Sequence, residues 1–121
     1  MSVKVFLADD TDLMRRAIRR LLGHRKDIKI VGEASSLPET IQKTTKLHPD
    51  VIVLDLSMPD KNHVPVTEVR AFLNGTKVIA TAFDIDTLAA ELAESLGAAK
   101  LLDKIELGRE LVPTILELAA E

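Results

Sequence analysis

The chain has 121 residues, 46% of them apolar and 29% charged, which suits one compact domain with a real core and leaves little room for a second. A net charge of −3 carries no polyanion footprint, and the absence of cysteine excludes disulfide frameworks and thiolate metal sites. Phe6, Phe72 and Phe83 are the only aromatics, too few for a base-stacking surface or an aromatic cage.

The N-terminus enters a strand-like run at once, without a signal-peptide layout, and no apolar run approaches the ~20 residues needed to cross a bilayer. The expectation is a cytoplasmic domain spanning residues 1–121, with no membrane contact and no direct binding of nucleic acid.

Val3 to Ala8 reads as a buried strand bounded by Asp9 and Asp10. Leu13, Met14, Ala17, Ile18, Leu21 and Leu22 recur at helical spacing up to Gly23, with Arg15, Arg16, Arg19 and Arg20 mostly on the other, solvated side. Ile28 to Val31 is a second strand. Ser36-Leu37-Pro38-Glu39 matches a capping box, and the helix it opens has a weak stripe of Leu37, Ile41 and Leu47.

Val51 to Leu54 is the clearest buried strand. A third helix is expected from about Pro65 to Leu73, ending at Asn74-Gly75. Val78 to Ala80 forms a fourth strand, and Asp84 or Asp86 caps the helix carrying Leu88, Leu92 and Leu96 up to Gly97. Ala99 to Leu102 is a short fifth strand. Leu111, Ile115 and Leu118 mark a last helix, which Pro113 requires to begin near Glu110 or to bend. Five βα units with apolar strands predict an α/β doubly wound fold, a five-stranded parallel sheet with helices on both faces.

Ligands of such a sheet bind beyond the carboxyl ends of its strands. The polar residues predicted there are Asp9 and Asp10, Asp55, Thr81 and Lys104. Three adjacent carboxylates repel one another unless a cation offsets them, and hard, solvent-open oxygen ligands suit Mg²⁺. Phosphoryl transfer needs chiefly positioning and charge neutralisation, which a metal ion and Lys104 could supply around Asp55.

Each residue also has a plain structural use. Asp9 and Asp10 could cap the first helix, although Thr11 and Asp12 already serve there. Asp55 could end a turn, Thr81 could be a strand residue, and Lys104 a surface lysine. His24, His48 and His63 lack metal-ligand spacing and are expected at the surface.

The ordered set Asp9-Asp10, Leu54-Asp55-Leu56-Ser57-Met58-Pro59, Thr81-Ala82 and Lys104 resembles the response-regulator receiver family of two-component signalling, over essentially the whole chain. The resemblance implies a (βα)5 flavodoxin-like sandwich with strand order 2-1-3-4-5. It implies that Asp55 accepts a phosphoryl group, and that Asp9, Asp10, Asp55 and the Ser57 backbone carbonyl hold Mg²⁺. Lys104 would pair with Asp55 and then with a phosphoryl oxygen, and Thr81 would turn its hydroxyl to that group. The implied donor is a sensor histidine kinase or a histidine phosphotransfer protein. The implied output is a downstream effector or fused output domain, and the family admits a phosphorylation-dependent dimer. Such a domain is a signalling switch that catalyses only its own phosphorylation and dephosphorylation.

The chain departs from the family pattern at four places. Leu101 stands where most receivers have an aromatic, and Ile105 follows the lysine where many have a cis-proline, so a trans bond is expected. Asp60-Lys61-Asn62-His63-Val64-Pro65 lacks the usual glycine. Ser57 and Phe83 stand two residues beyond the acceptor and the threonine, and a bulky Phe83 predicts slow hydrolysis of the acyl phosphate.

An FMN carrier of this architecture would need a hydroxyl- and glycine-rich phosphate loop where Asp9-Asp10 stands. A dehalogenase-type aspartyl phosphatase would need an acid where Ser57 stands. The remaining alternatives are the receiver half of a DNA-binding transcription regulator separated from its effector domain, and a phosphate-independent binding module.

Overall fold

The computed structural model describes residues 2–73 and 75–121, with the backbone alone at 60 and 61. Five strands, β1 (Val3–Ala8), β2 (Ile28–Ala34), β3 (Val51–Asp55), β4 (Lys77–Ala82) and β5 (Lys100–Asp103), form one parallel sheet in the order β2-β1-β3-β4-β5. The helices are α1 (Asp12–Leu22), α2 (Leu37–Leu47), the single turn α3 (Met58–Lys61), α4 (Val66–Phe72), α5 (Thr87–Ser95) and α6 (Leu107–Ala119).

Alternation along the strands sends side chains to two cores. Phe6, Ala8, Ile52, Leu54 and Val78 pack with Leu37 of α2, Val69 of α4 and Ala93 of α5. Val5, Leu7, Val51, Val53 and Ile79 pack with Ile18 and Leu22 of α1 and with Leu111, Ile115 and Leu118 of α6. Both faces of the sheet are dry, which is why its strands read as continuous apolar runs.

Several local expectations change. β2 extends to Ala34, and its register against β1 slips between Val5 and Phe6, which face Ile30 and Gly32 respectively, leaving Val31 as the extra residue of a bulge. Gly32 permits the approach there, because a Cβ would lie 2.9 Å from both Phe6 Cε2 and Leu47 Cδ1. In α1 Leu13 and Ala17 are exposed, so the buried stripe narrows to Ile18 and Leu22.

α2 opens on half of the predicted capping box: Ser36 Oγ accepts from Glu39 N at 3.3 Å, while Glu39 Oε1 accepts at 2.9 Å from the amide of Ser35, one residue before the N-cap. Its buried face is carried by Leu37, Thr40 and Thr44, whereas Leu47 is exposed. The two threonines are tolerated because their hydroxyls donate to the carbonyls of Ser36 and Thr40 one turn back.

α3 is an element that sequence periodicity did not reveal. The predicted third helix is α4, begun by Pro65 as N-cap; of its expected terminator, Asn74 lies outside the described residues, and Gly75 has φ +89°. Asp86 caps α5 by accepting from Ala89 N at 2.8 Å.

α6 neither starts at Glu110 nor stops at Pro113, but runs from Leu107 through the proline. Pro113 and Arg109, the residue whose carbonyl loses its partner, are both exposed, so water can satisfy that group. Among the described residues there is no cis peptide bond, in agreement with the trans expectation at Ile105. None of the described helices is long and apolar enough to cross a membrane.

Candidate functional site at the carboxyl edge of the sheet

β1 has β2 on one side and β3 on the other, so the strand order reverses beside it and opens a crevice at the carboxyl edge between β1 and β3. Asp9 and Asp10 follow β1 there, and Asp55 is the last residue of β3. Thr81 lies beside Asp55 in the β3–β4 register, and Lys104 opens the 3₁₀ turn Lys104–Glu106 after β5. Asp103 fixes that turn by accepting from Ile105 N at 2.9 Å. The five predicted residues therefore converge on one edge, from four strands.

Asp9, Asp10 and Asp55 can each place a carboxylate oxygen within 4.8 Å of the others, a geometry that could hold a metal ion. Hard oxygen donors of this kind, on a half-open edge, fit a small divalent cation. Asp9 and Asp55 are each only 3% exposed, so their charges are costly without compensation.

Compensation comes from a small set of donors. Asp9 Oδ1 accepts from both the amide and the hydroxyl of Thr11, each at 2.9 Å, and Asp9 Oδ2 accepts from Lys104 Nζ at 2.9 Å. Asp55 Oδ1 accepts from Ser57 N at 3.0 Å and Oδ2 from Ser57 Oγ at 2.9 Å, with Lys104 Nζ 3.4 Å from Oδ2. Burial pushes the Asp55 carboxyl above the ordinary carboxylate value, and the Asp9 charge adds to this, while the Ser57 amide, Lys104 and the Ser57 hydroxyl pull the other way.

Lys104 is thus no solvated surface residue; it is 8% exposed and bridges two carboxylates. Its ammonium also stands over the Phe83 ring, 5.0 Å from the centroid. Thr81 is buried, and among the described residues its hydroxyl donates to Leu54 O at 3.5 Å, the outer limit of a hydrogen bond and so easily exchanged. The half-buried Leu101, at the position where an aromatic was expected, packs against the core.

Three features were missed in the sequence. Thr11 is the N-cap of α1 by position, but its hydroxyl serves Asp9 and does not cap the helix. Arg15 is no solvated arginine: its Nη1 donates to Asp9 O at 2.6 Å, and the same guanidinium meets Asp12 and Glu33. Its only signal in the sequence is the i,i+3 spacing from Asp12. Phe83, which sequence reasoning treated as a shield, also contacts the lysine. The three histidines are exposed, as expected.

The cleft has a volume of about 340 Å³ and is lined by Asp10, Thr11, Asp55, Ser57, Ala82, Phe83 and Lys104. A larger hollow, about 620 Å³, lies at the opposite edge. Its charges are spent on the fold: Lys77 Nζ donates to Leu118 O at 2.7 Å and faces Glu121 at 3.7 Å, and Asp50 accepts from Lys4 N at 2.9 Å. The acidic cleft, not the larger hollow, holds the convergent chemistry.

Comparison with known proteins gives the family. The family model described as "Response regulator receiver domain" matches residues 5–116. The chain is 35% identical over 106 residues to protein-glutamate methylesterase/protein-glutamine glutaminase 1 of Methanosarcina acetivorans, covering 88% of this chain and 28% of that relative. It is 44% identical over 62 residues to the DNA-binding transcriptional activator DevR/DosR of Mycobacterium tuberculosis, covering 51% of this chain and 29% of that relative. The chain therefore spans under a third of the length of these curated relatives.

Among solved structures, the signal receiver domain of the putative response regulator NarL from Mycobacterium tuberculosis superposes with a TM-score of 0.85 at 28% identity, covering 98% of this chain and 97% of that one. The response regulator domain of Thermotoga maritima CheB gives a TM-score of 0.84 at 22% identity over 100% of this chain and 98% of that one, a likeness of fold. With a parallel sheet in the order β2-β1-β3-β4-β5, an acidic cleft at its switch point and a family match over residues 5–116, the chain belongs to the response regulator receiver domain family of two-component signalling.

Proposed function

We propose that residues 1–121 act as one receiver domain in which Asp55 accepts a phosphoryl group, and that Asp9, Asp10, Asp55 and the Ser57 carbonyl hold Mg²⁺. The observation that carries this reading is the meeting of three carboxylates with the ammonium of Lys104, at 2.9 Å from Asp9 and 3.4 Å from Asp55. Three carboxylates brought this close repel one another, and a divalent cation between them would offset that repulsion. Bound Mg²⁺ supplies charge neutralisation for the oxygens of an incoming phosphoryl group.

In the chemical step an Asp55 carboxylate oxygen forms a bond to phosphorus while the bond from phosphorus to the donor breaks in line, the electron pair leaving with the donor. Ser57 Oγ is a rotor that can release Asp55 Oδ2 for this attack, leaving the Ser57 amide to hold the other oxygen. Lys104 then pairs with a phosphoryl oxygen, as its short reach to Asp55 permits. Thr81, one strand over and weakly held, exchanges Leu54 O for the same group.

Receiver domains partner with histidine kinases and effector domains in general. For this chain the donor would be a histidine kinase or a histidine phosphotransfer protein, in the cytoplasm. The strongly exposed Leu13 and Ile105 follow the acidic pair and the lysine and offer apolar contact for it. The output would be an effector or a fused domain, and the chain is a switch without turnover chemistry of its own. The relative described as a DNA-binding activator favours a second reading, the receiver part of a transcription regulator.

The test is incubation with acetyl phosphate and Mg²⁺ followed by intact-mass measurement. One phosphate is expected on the wild type, and none on Asp55→Asn or without metal. Modification that persists in Asp55→Asn would sink the assignment.

A further inference from the structure

Phe83 is 58% exposed and belongs to neither core cluster, so burial does not account for an aromatic at that position. What it touches is specific. The Lys104 ammonium stands over its ring, 5.0 Å from the centroid, inside the distance at which the negative face of an aromatic attracts a cation. The same ammonium reaches Asp9 Oδ2 at 2.9 Å and Asp55 Oδ2 at 3.4 Å.

These three contacts are unequal in what they can survive. The bond to Asp9 is the shortest, yet Asp9 is one of the three carboxylates placed to share a cation. With Asp9 engaged by a metal ion, the lysine would be left with the longer approach to Asp55 and the ring. Lysine is a strongly hydrated point charge on a flexible four-carbon stem, so a head released from its best partner moves toward water. The neighbouring residue, Ile105, is 76% exposed and does not cover it. Phe83 lines the cleft together with Lys104 and is itself more than half exposed.

We propose that Phe83 is a positioning residue for phosphoryl transfer at Asp55: its ring holds the Lys104 ammonium over the cleft while the lysine exchanges Asp9 for a phosphoryl oxygen. This rests on Asp55 as the acceptor. In this step the ring serves through its π face, and its bulk bears separately on hydrolysis of the acyl phosphate. An aliphatic residue of similar size would cover the same opening without attracting the cation.

The experiment compares the full chain with Phe83→Leu, which keeps apolar bulk, and Phe83→Tyr, which keeps the π face. Isotope-labelled lysine side chains are followed by NMR, with Lys104→Arg identifying the signal of interest. The Lys104 ε-methylene resonance is expected to be displaced by the ring current in the wild type and in Phe83→Tyr, and to return to the ordinary lysine position in Phe83→Leu. Phosphorylation by acetyl phosphate at saturating Mg²⁺ is expected to slow by about two- to fivefold in Phe83→Leu and to stay within about twofold of wild type in Phe83→Tyr.

Equal rates in Phe83→Leu and wild type would overturn the proposal, as would a Phe83→Tyr variant slowed as much as Phe83→Leu. Absence of phosphate on the wild type would overturn the acceptor assignment itself. A ring-current displacement retained in that case would mark that failure as distinct from loss of the Phe83–Lys104 contact.

Discussion

Lys104 Nζ lies 2.9 Å from Asp9 Oδ2 and 3.4 Å from Asp55 Oδ2, so the lysine leans toward the first acid of the β1 edge and not toward the residue proposed to be phosphorylated. In this state the ammonium serves as the internal counter-ion of the acidic cluster. A divalent cation entering the cleft must compete with it for Asp9.

Removing that competitor should therefore strengthen metal binding while crippling the reaction. Lys104→Met is expected to tighten the Mg²⁺ dissociation constant by about three- to tenfold, because one positive charge leaves a poorly solvated cluster. Phosphorylation by acetyl phosphate should slow by about a hundredfold, the usual scale for losing one electrostatic stabiliser. Calorimetric titration and a rate measurement check the two arms, and unchanged or weaker metal affinity would show that lysine and metal do not compete.

The raised pKa of Asp55 has a sign that can be tested. A carboxyl raised by burial binds its proton more tightly in the fold than in the unfolded chain, whose ordinary value is 3.8. Folding stability linked to this group is therefore fully present at low pH and is lost as pH rises from 3.8 through the folded value. At neutral pH, above the unfolded value, this carboxyl opposes folding, so Asp55→Asn should stabilise the metal-free protein, raising the thermal midpoint by roughly 4 °C for each kcal/mol relieved. The gain should shrink when the pH is lowered toward 4 or Mg²⁺ is added. Melting curves at several pH values decide it; a lower midpoint for the variant at neutral pH would contradict the assignment.

Arg15 braces the loop that carries the acidic pair. Its side chain is 12% exposed and donates to Asp9 O at 2.6 Å while meeting Asp12 and Glu33. Arg15→Gln should cost about 1–3 kcal/mol, because a mostly buried carbonyl and a carboxylate lose a charge-assisted donor. Arg15→Lys should recover only part, since a single ammonium cannot span three acceptors. Urea unfolding measures both, and a loss as small as that of the exposed Arg16→Gln would refute the bracing role.

Phe83 also lines the cleft that holds Asp55. Phe83→Ala, which removes bulk and ring together, should shorten the half-life of the acyl phosphate severalfold by admitting water. Phosphate release after removal of excess donor follows this, and a wild-type half-life no longer than that of the variant would end the shielding argument.

The sequence by itself determined the alternation of strands and helices, the cap at Ser36, the pair Asp84 and Asp86 from which the α5 cap is drawn, and the identity of the five residues at the sheet edge. Those features are local: apolar runs, side-chain oxygens near helix starts, and polar residues at strand ends all act within a few positions of chain. Tertiary packing decided the rest. It buried Thr40 and Thr44 where the apolar stripe was weak, and it inserted a bulge opposite Phe6 because Gly32 leaves room for that ring. It also carried α6 through Pro113 on an exposed face.

It likewise decided the chemistry of Lys104. As a sequence position that residue is an ordinary lysine, and nothing near it in the chain says that it will be 8% exposed between Asp9 and Asp55 with Phe83 beside it. A charge acquires its partners from whatever the crossovers of the sheet bring beside it. These partners come from three other strand ends, which the right-handed βα connections gather at one edge and which no window of sequence contains.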